Sequence, residues 1–192
     1  ALGIEHRYER ITSINTPDDE AQLWLTGNYR NNFGQYSVTE GYLETVIPLA
    51  KDTAWARSLD INAAVRATDY TTSGYVTTWK LGATWQPIPD IRFRATRSRD
   101  IRAPNLYDLF LSGTNTISPI DDPFTGQRVF YRGFATGNVN LKPEKAQTTE
   151  VGLVWQPDFI PGFQASVDYY RIGVRGAITA LSSQQVEDLC YF

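Results

Sequence analysis

Residues 75–86 read Tyr75-Val76-Thr77-Thr78-Trp79-Lys80-Leu81-Gly82-Ala83-Thr84-Trp85-Gln86. The odd positions carry Tyr, Thr, Trp, Leu, Ala and Trp, while the even positions carry Val, Thr, Lys, Gly, Thr and Gln. A period of two puts successive side chains on opposite faces of a strand, so one face is apolar and aromatic and the other small and polar. The same parity returns in Leu59, Ile61, Ala63, Val65 and Ala67 against Asp60, Asn62, Ala64, Arg66 and Thr68. It returns again in Ile91, Phe93 and Ala95 against Arg92, Arg94 and Thr96. Later, Val151, Leu153 and Trp155 oppose Glu150 and Gly152, and Ala165, Val167 and Tyr169 oppose Ser166 and Asp168.

Working outward, seven segments qualify as strands, at about 1–11, 36–47, 58–70, 74–86, 90–98, 145–156 and 163–173. Most reach the roughly 9 residues of a tilted membrane-crossing strand, whereas soluble strands average about 5–6. Short connections carry Pro, Gly or Asp, as in Pro87-Ile88-Pro89-Asp90 and 157–162, and Pro48 is read as opening the connection to Leu59. Other connections are long, at 12–35 and 99–144. Short turns on one side and long loops on the other are the asymmetry of outer-membrane barrels. The expectation is therefore an all-β fold, an antiparallel up-and-down meander of about seven consecutive strands of a transmembrane β-barrel, with long exterior loops holding short helices. The repeat of Gly82-Ala83-Thr84-Trp85-Gln86-Pro87 as Gly152-Leu153-Val154-Trp155-Gln156-Pro157 places two tryptophans at strand ends, where an aromatic girdle is expected.

Composition narrows the function. The 192 residues are 42% hydrophobic and 20% charged, the balance of a folded chain. No apolar run approaches the roughly 18 residues of a membrane helix. A net charge of -3 without a basic block makes nucleic acid an unfavoured partner. One Cys, Cys190, and one His leave no Cys/His metal set, and no cofactor is implied. The acidic pairs Asp18-Asp19 and Asp121-Asp122 sit in turn-rich segments and read as solvated turns, so no enzyme is expected. With no Met and no leader profile, the chain reads as a piece of a longer protein.

The stretch Arg102-Ala103-Pro104, followed by Leu109-Phe110, resembles the Arg-Ala-Pro…Leu-Phe segment of TonB-dependent outer-membrane receptors. Asn140-Leu141-Lys142-Pro143-Glu144 resembles that family's Asn-x-Leu-x-Pro-Glu signature, and Glu150-Val151-Gly152 resembles its Glu-x-Gly strand start. The resemblance implies a slice of a 22-stranded barrel spanning 1–192, in the outer membrane of a Gram-negative bacterium, in contact with its lipid. Neither the plug nor the energy-coupling box of that family is read in this stretch. It implies import of a scarce nutrient of the siderophore, cobalamin or oligosaccharide class with TonB-supplied energy. The partners implied are the plug domain, the TonB complex and a small-molecule or oligosaccharide ligand. It also implies that Cys190 pairs with a later cysteine of the parent chain.

Locally, Pro104 fits a first helical turn, with Leu106, Leu109 and Phe110 on one face. Glu144 is placed to pair with a rim arginine, Arg99 or Arg102. Ser182 and Gln185 make a capping box for a short helix. Lys80, Arg92, Arg94, Glu150 and Asp168 share the polar parity and are expected to face the lumen or plug, with Lys80, Arg92 and Arg94 forming a basic strip. Ligand capture is expected on the loops, through Tyr29, Arg30, Phe33 and Tyr36 and through Phe124, Arg128, Phe130, Tyr131 and Arg132, which offer stacking faces and guanidinium donors. An isolated slice has two open strand edges and is expected to self-associate. The alternative is a soluble β-sandwich that binds carbohydrate, with the tryptophans as platforms or core.

Overall fold

Two-residue periodicity is realised as one long antiparallel ladder. The computed structural model describes residues 1–25, 27–113 and 115–191. Its strands are β1 (Leu2–Ser13), β2 (Asn32–Thr53), β3 (Ala56–Tyr70), β4 (Gly74–Ile88), β5 (Ile91–Arg102), β6 (Asn115–Asp121), β7 (Arg128–Phe134), β8 (Glu144–Trp155) and β9 (Ala165–Arg175). Its helices are α1 (Pro17–Glu20), α2 (Leu106–Phe110) and α3 (Ser183–Tyr191). Seven strands pair in the order β1-β2-β3-β4-β5-β8-β9, an up-and-down meander interrupted by the separate β6-β7 hairpin. Residues 54–55, 89–90 and 156–164 connect strands at one end of the sheet. Residues 14–31, 71–73 and 103–143 connect them at the other.

Several boundaries differ from the sequence reading. Strand β2 continues through Pro48 to Thr53, because a register shift between Pro48 and Ala50 accommodates the residue that cannot donate to the ladder. The segments expected as loops at 12–35 and 99–144 are partly strand, since β1 reaches Ser13, β2 begins at Asn32 and β5 reaches Arg102. The second of them also contains the β6-β7 hairpin, which the alternation search missed. Pro104 precedes α2 rather than opening it. The N-cap is Asn105, whose side chain accepts from Asp108 N at 2.8 Å while Asp108 accepts from Asn105 N at 3.0 Å.

The chain divides into two compact units. The first is Ala1–Arg7, Val38–Ala103 and Pro143–Ala177, and the second is Tyr8–Ser37, Pro104–Lys142 and Ile178–Phe192. In the first, the register joins Leu59, Trp85, Phe93, Leu153 and Val167 as successive cross-strand partners on one face, with Ile61, Ala83, Ala95, Val151 and Tyr169 in the next row. This apolar face is not covered: Trp85 is 38%, Leu153 37% and Val167 74% exposed. A sandwich would bury these side chains against a second sheet, and the one other sheet among the described residues is the two-stranded β6-β7. The sandwich alternative is therefore set aside. At the end with the shorter connections, aromatic rings gather on this face, Trp85 stacked on Phe93 at 5.5 Å and Trp155 against Phe163 at 5.7 Å.

The opposite face is polar and paired. Arg94 on β5 donates from Nε and Nη2 to Asp168 Oδ1 and Oδ2 on β9, at 2.8 and 2.6 Å, reaching across the whole width of β8. The residue beneath this bridge is Gly152, in register with both. A Cβ there would overlap the Asp168 carboxylate and lie 2.7 Å from Arg94 Nε. Gly152→Val is therefore expected to destabilise the intact protein by about 1–3 kcal/mol through overpacking. Adding Asp168→Gly, which removes the struck carboxylate, should recover most of that loss in thermal unfolding. An unchanged midpoint for Gly152→Val alone would contradict this packing.

Candidate functional site

In the second unit the β6-β7 hairpin presents exposed charged and aromatic side chains. Strand periodicity puts Arg128, Phe130, Arg132 and Phe134 of β7 on one face and Val129, Tyr131 and Gly133 on the other. Guanidinium and aromatic side chains thus alternate along a single face, and Phe130 is 73% exposed. The Arg30 guanidinium lies 3.9 Å above the Phe134 ring, joining the first loop cluster to this face through a cation–π contact. Arg30 follows a closed turn in which Asn28, fully buried, accepts from Trp24 N at 3.0 Å and donates to Trp24 O at 2.7 Å. Tyr29 and Phe33 are exposed beside it.

Not every expected residue joins this surface. Tyr131 projects from the opposite face of the hairpin. Tyr36 is 7% exposed and donates its hydroxyl to Glu9 at 2.7 Å, so it packs the strand instead of presenting a ring. Phe124, at the hairpin turn, meets Tyr191 of α3 edge-on at 5.0 Å. Gln184 ties α3 to the hairpin edge, accepting from Asp121 N at 2.7 Å and donating to Asp121 O at 3.2 Å. The Ser182–Gln185 capping box is formed, at 2.9 and 3.2 Å. Cys190 is an exposed free thiol.

The motif residues pack segment bases. Pro104 and Leu109 are almost wholly buried, and Phe110 covers Gly34 so closely that a Cβ there would enter the ring. Gly137 N donates to Leu111 O at 2.7 Å and Asn138 N to Asp108 O at 2.8 Å, fastening α2. In the first unit, Arg102 Nη2 donates to Glu144 Oε1 at 2.8 Å, which selects Arg102 over Arg99 as the partner of Glu144. Ala103 is half-buried and Pro143 buried, each next in the chain to one partner of this pair, and Leu141 of the second unit is half-buried.

The polar face of the first unit is less basic than expected. Lys80 pairs in register with Ser98, and Arg94 with Thr84, about 13 Å apart along the strands. No basic strip forms, because Arg94 is engaged by Asp168 and Arg92 turns to Gln86 at 3.4 Å. Sequence reasoning missed the Arg94–Asp168 pair and also Arg66 Nη1 to Glu40 Oε1 at 3.0 Å, although the even parity of all four was visible. Among the described residues no His, Cys, Asp or Glu group is arranged to hold a metal.

The hairpin turn has a titratable anchor. Asp122 accepts from Phe124 N at 2.9 Å and from the Thr125 hydroxyl at 2.8 Å, and these donors hold its carboxyl below the usual carboxylate range. A depressed folded value contributes stability above the unfolded pKa and loses it as pH falls through the folded one. The turn should therefore persist through mild acid and loosen only below the ordinary Asp range. A carboxyl NMR titration checks this, and an Asp122 midpoint at or above an unfolded-peptide value would refute it.

A model of the family "TonB dependent receptor-like, beta-barrel" matches residues 2–191. The vitamin B12 transporter BtuB of Vibrio vulnificus is 27% identical over 109 residues, 57% of this chain and 14% of that protein. The siderophore receptor PirA of Acinetobacter baumannii superposes with a TM-score of 0.65 at 18% identity, covering 91% of this chain and 24% of that one. A mutant of the ferric enterobactin receptor PfeA of Pseudomonas aeruginosa gives 0.58 at 20% identity, covering 76% and 19%. The chain thus spans less than a quarter of the length of each of these proteins.

Proposed function

Since this chain belongs to the TonB-dependent receptor β-barrel family, we propose that it is a stretch of barrel wall from an outer-membrane nutrient receptor of a Gram-negative bacterium. The observation that carries this reading is the uncovered apolar face of β3, β4, β5, β8 and β9 with aromatic rings at the short-turn end. Such a face is stable against lipid, where alternation of apolar-out and polar-in is the rule. Members of the family are receptors and transporters rather than enzymes, and the role proposed here is binding and import with energy supplied through TonB. Lys80, Arg92 and Glu150, on the polar face, meet the plug or a hydrated path, while Arg94 and Asp168 brace the wall. Taken out of its barrel, the sheet exposes β1 and β9 as open edges and self-associates through them.

Ligand capture belongs to the alternating face of β7 with Arg30, Tyr29 and Phe33. Guanidinium groups there donate to carboxylate or hydroxyl-rich ligands, and the rings stack on flat ones. This suits a siderophore, a cobalamin or an oligosaccharide, the first two being the classes in the names of the similar proteins. Deleting 124–134 from the full receptor should weaken ligand binding on whole cells at least tenfold while the barrel still assembles. Unchanged affinity in an assembled barrel would reduce the hairpin to loop packing.

A further inference from the structure

The two edges of the β6-β7 hairpin are finished differently. Asp122 N donates to Gln127 O at 2.9 Å across the turn, and from there the backbone groups of successive residues point alternately to the partner strand and away from it. Ile117, Pro119 and Asp121 of β6 therefore turn their backbone groups to one outer edge, and Arg128, Phe130 and Arg132 of β7 turn theirs to the other. The β6 edge is blunted. Pro119 has no N–H to offer, and the Gln184 side chain takes both backbone groups of Asp121, accepting from N at 2.7 Å and donating to O at 3.2 Å. The β7 edge has neither device. It contains no proline, pairs with β6 alone among the described residues, and exposes Arg128, Phe130 and Arg132.

Side chains on the open edge select its partner. Neither Arg128 nor Arg132 is ion-paired among the described residues, although Asp121 is in register with Arg128; Arg132 is in register with Ile117. Arg30 adds a third cation at the end of the row, over the Phe134 ring. A second copy of β7 fits poorly: antiparallel pairing about Phe130 sets Arg128 against Arg132, and like charges directly opposite destabilise a ladder. A strand with carboxylates opposite Arg128 and Arg132 and an apolar group opposite Phe130 instead satisfies backbone and side chains together.

We propose that the outer edge of β7 takes an extended acidic segment of another protein as an added strand, with the pattern acidic-x-apolar-x-acidic. This goes beyond nutrient capture by the face of β7 and stands whether or not that face captures a nutrient. Its test is fluorescence anisotropy of labelled acetyl-Thr-Glu-Thr-Phe-Thr-Glu-Thr-amide with the full-length receptor in detergent. The peptide is expected to bind, and its counterpart with both Glu replaced by Lys is not. Arg128→Glu/Arg132→Glu should exchange that preference. N-methylation of the peptide's Phe removes an edge-facing N–H from an antiparallel strand, and N-methylation of the Thr after it removes one from a parallel strand. One of the two should weaken binding at least about tenfold and the other should leave it unchanged. No binding of the Glu peptide, whether another loop or a second copy covers the edge, would overturn the proposal. Equal binding of the Lys peptide, or equal effects of the two methylations, would do so too. If the charge-reversed variant does not assemble, the methylated pair on the unaltered receptor decides. The nutrient-capture reading fails separately, by unchanged nutrient affinity after deletion of 124–134, which leaves the peptide results on the intact receptor as they are.

Discussion

Backbone hydrogen bonding along antiparallel ladders of 11 to 22 residues is the constraint on which the rest of this protein depends. Once β1 to β5, β8 and β9 are locked in register, every side chain of these strands is assigned to one of two faces, and a slip of one residue would exchange them all. In hydrocarbon no water can satisfy a broken ladder, so long strands in a closed sheet are the only β solution there. The apolar rows on one face and the ion pairs on the other follow from one alternation fixed by that ladder.

Within it, small residues decide where side chains can reach. Gly152 is a window through which Arg94 and Asp168 meet over an intervening strand. In the second unit, Gly34 allows Phe110 to seat, and with it the buried Leu109 of α2. Rigid bases of this kind let an exposed hairpin present charged and aromatic groups without collapsing onto them.

The centres of the strands were legible because alternation is a local signal, strong in 59–67, 75–86 and 91–95. Their ends were not. Pro48, Glu40 and Glu44 blurred β2, and a bulge carries the strand past the proline. The β6-β7 hairpin was disguised by Pro119 and by a turn, Asp122-Pro123-Phe124-Thr125-Gly126, whose Asp-Pro and Gly signals were available. Asn105 and Asp108 likewise announced the N-cap of α2, two residues later than a helix opened by Pro104 would have it. Contacts distant in sequence were beyond reach: that Arg94 finds Asp168 and not Lys80 as a neighbour depends on three strands being in register. The separation of Tyr131 from Phe130 needed only the strand assignment that was missed. The burial of Tyr36 needed its contact with Glu9.

The central claim is that odd positions of β4 face lipid and even positions face the barrel interior. Single cysteines placed at each position from 75 to 86 of the full receptor in native membranes test it directly, each probed with an aqueous thiol reagent and a lipid-confined one. The account predicts alternation, with aqueous labelling at 78, 80, 82 and 84 and lipid-confined labelling at 79, 81, 83 and 85. Uniform aqueous labelling of both parities, or the inverse alternation, would contradict it.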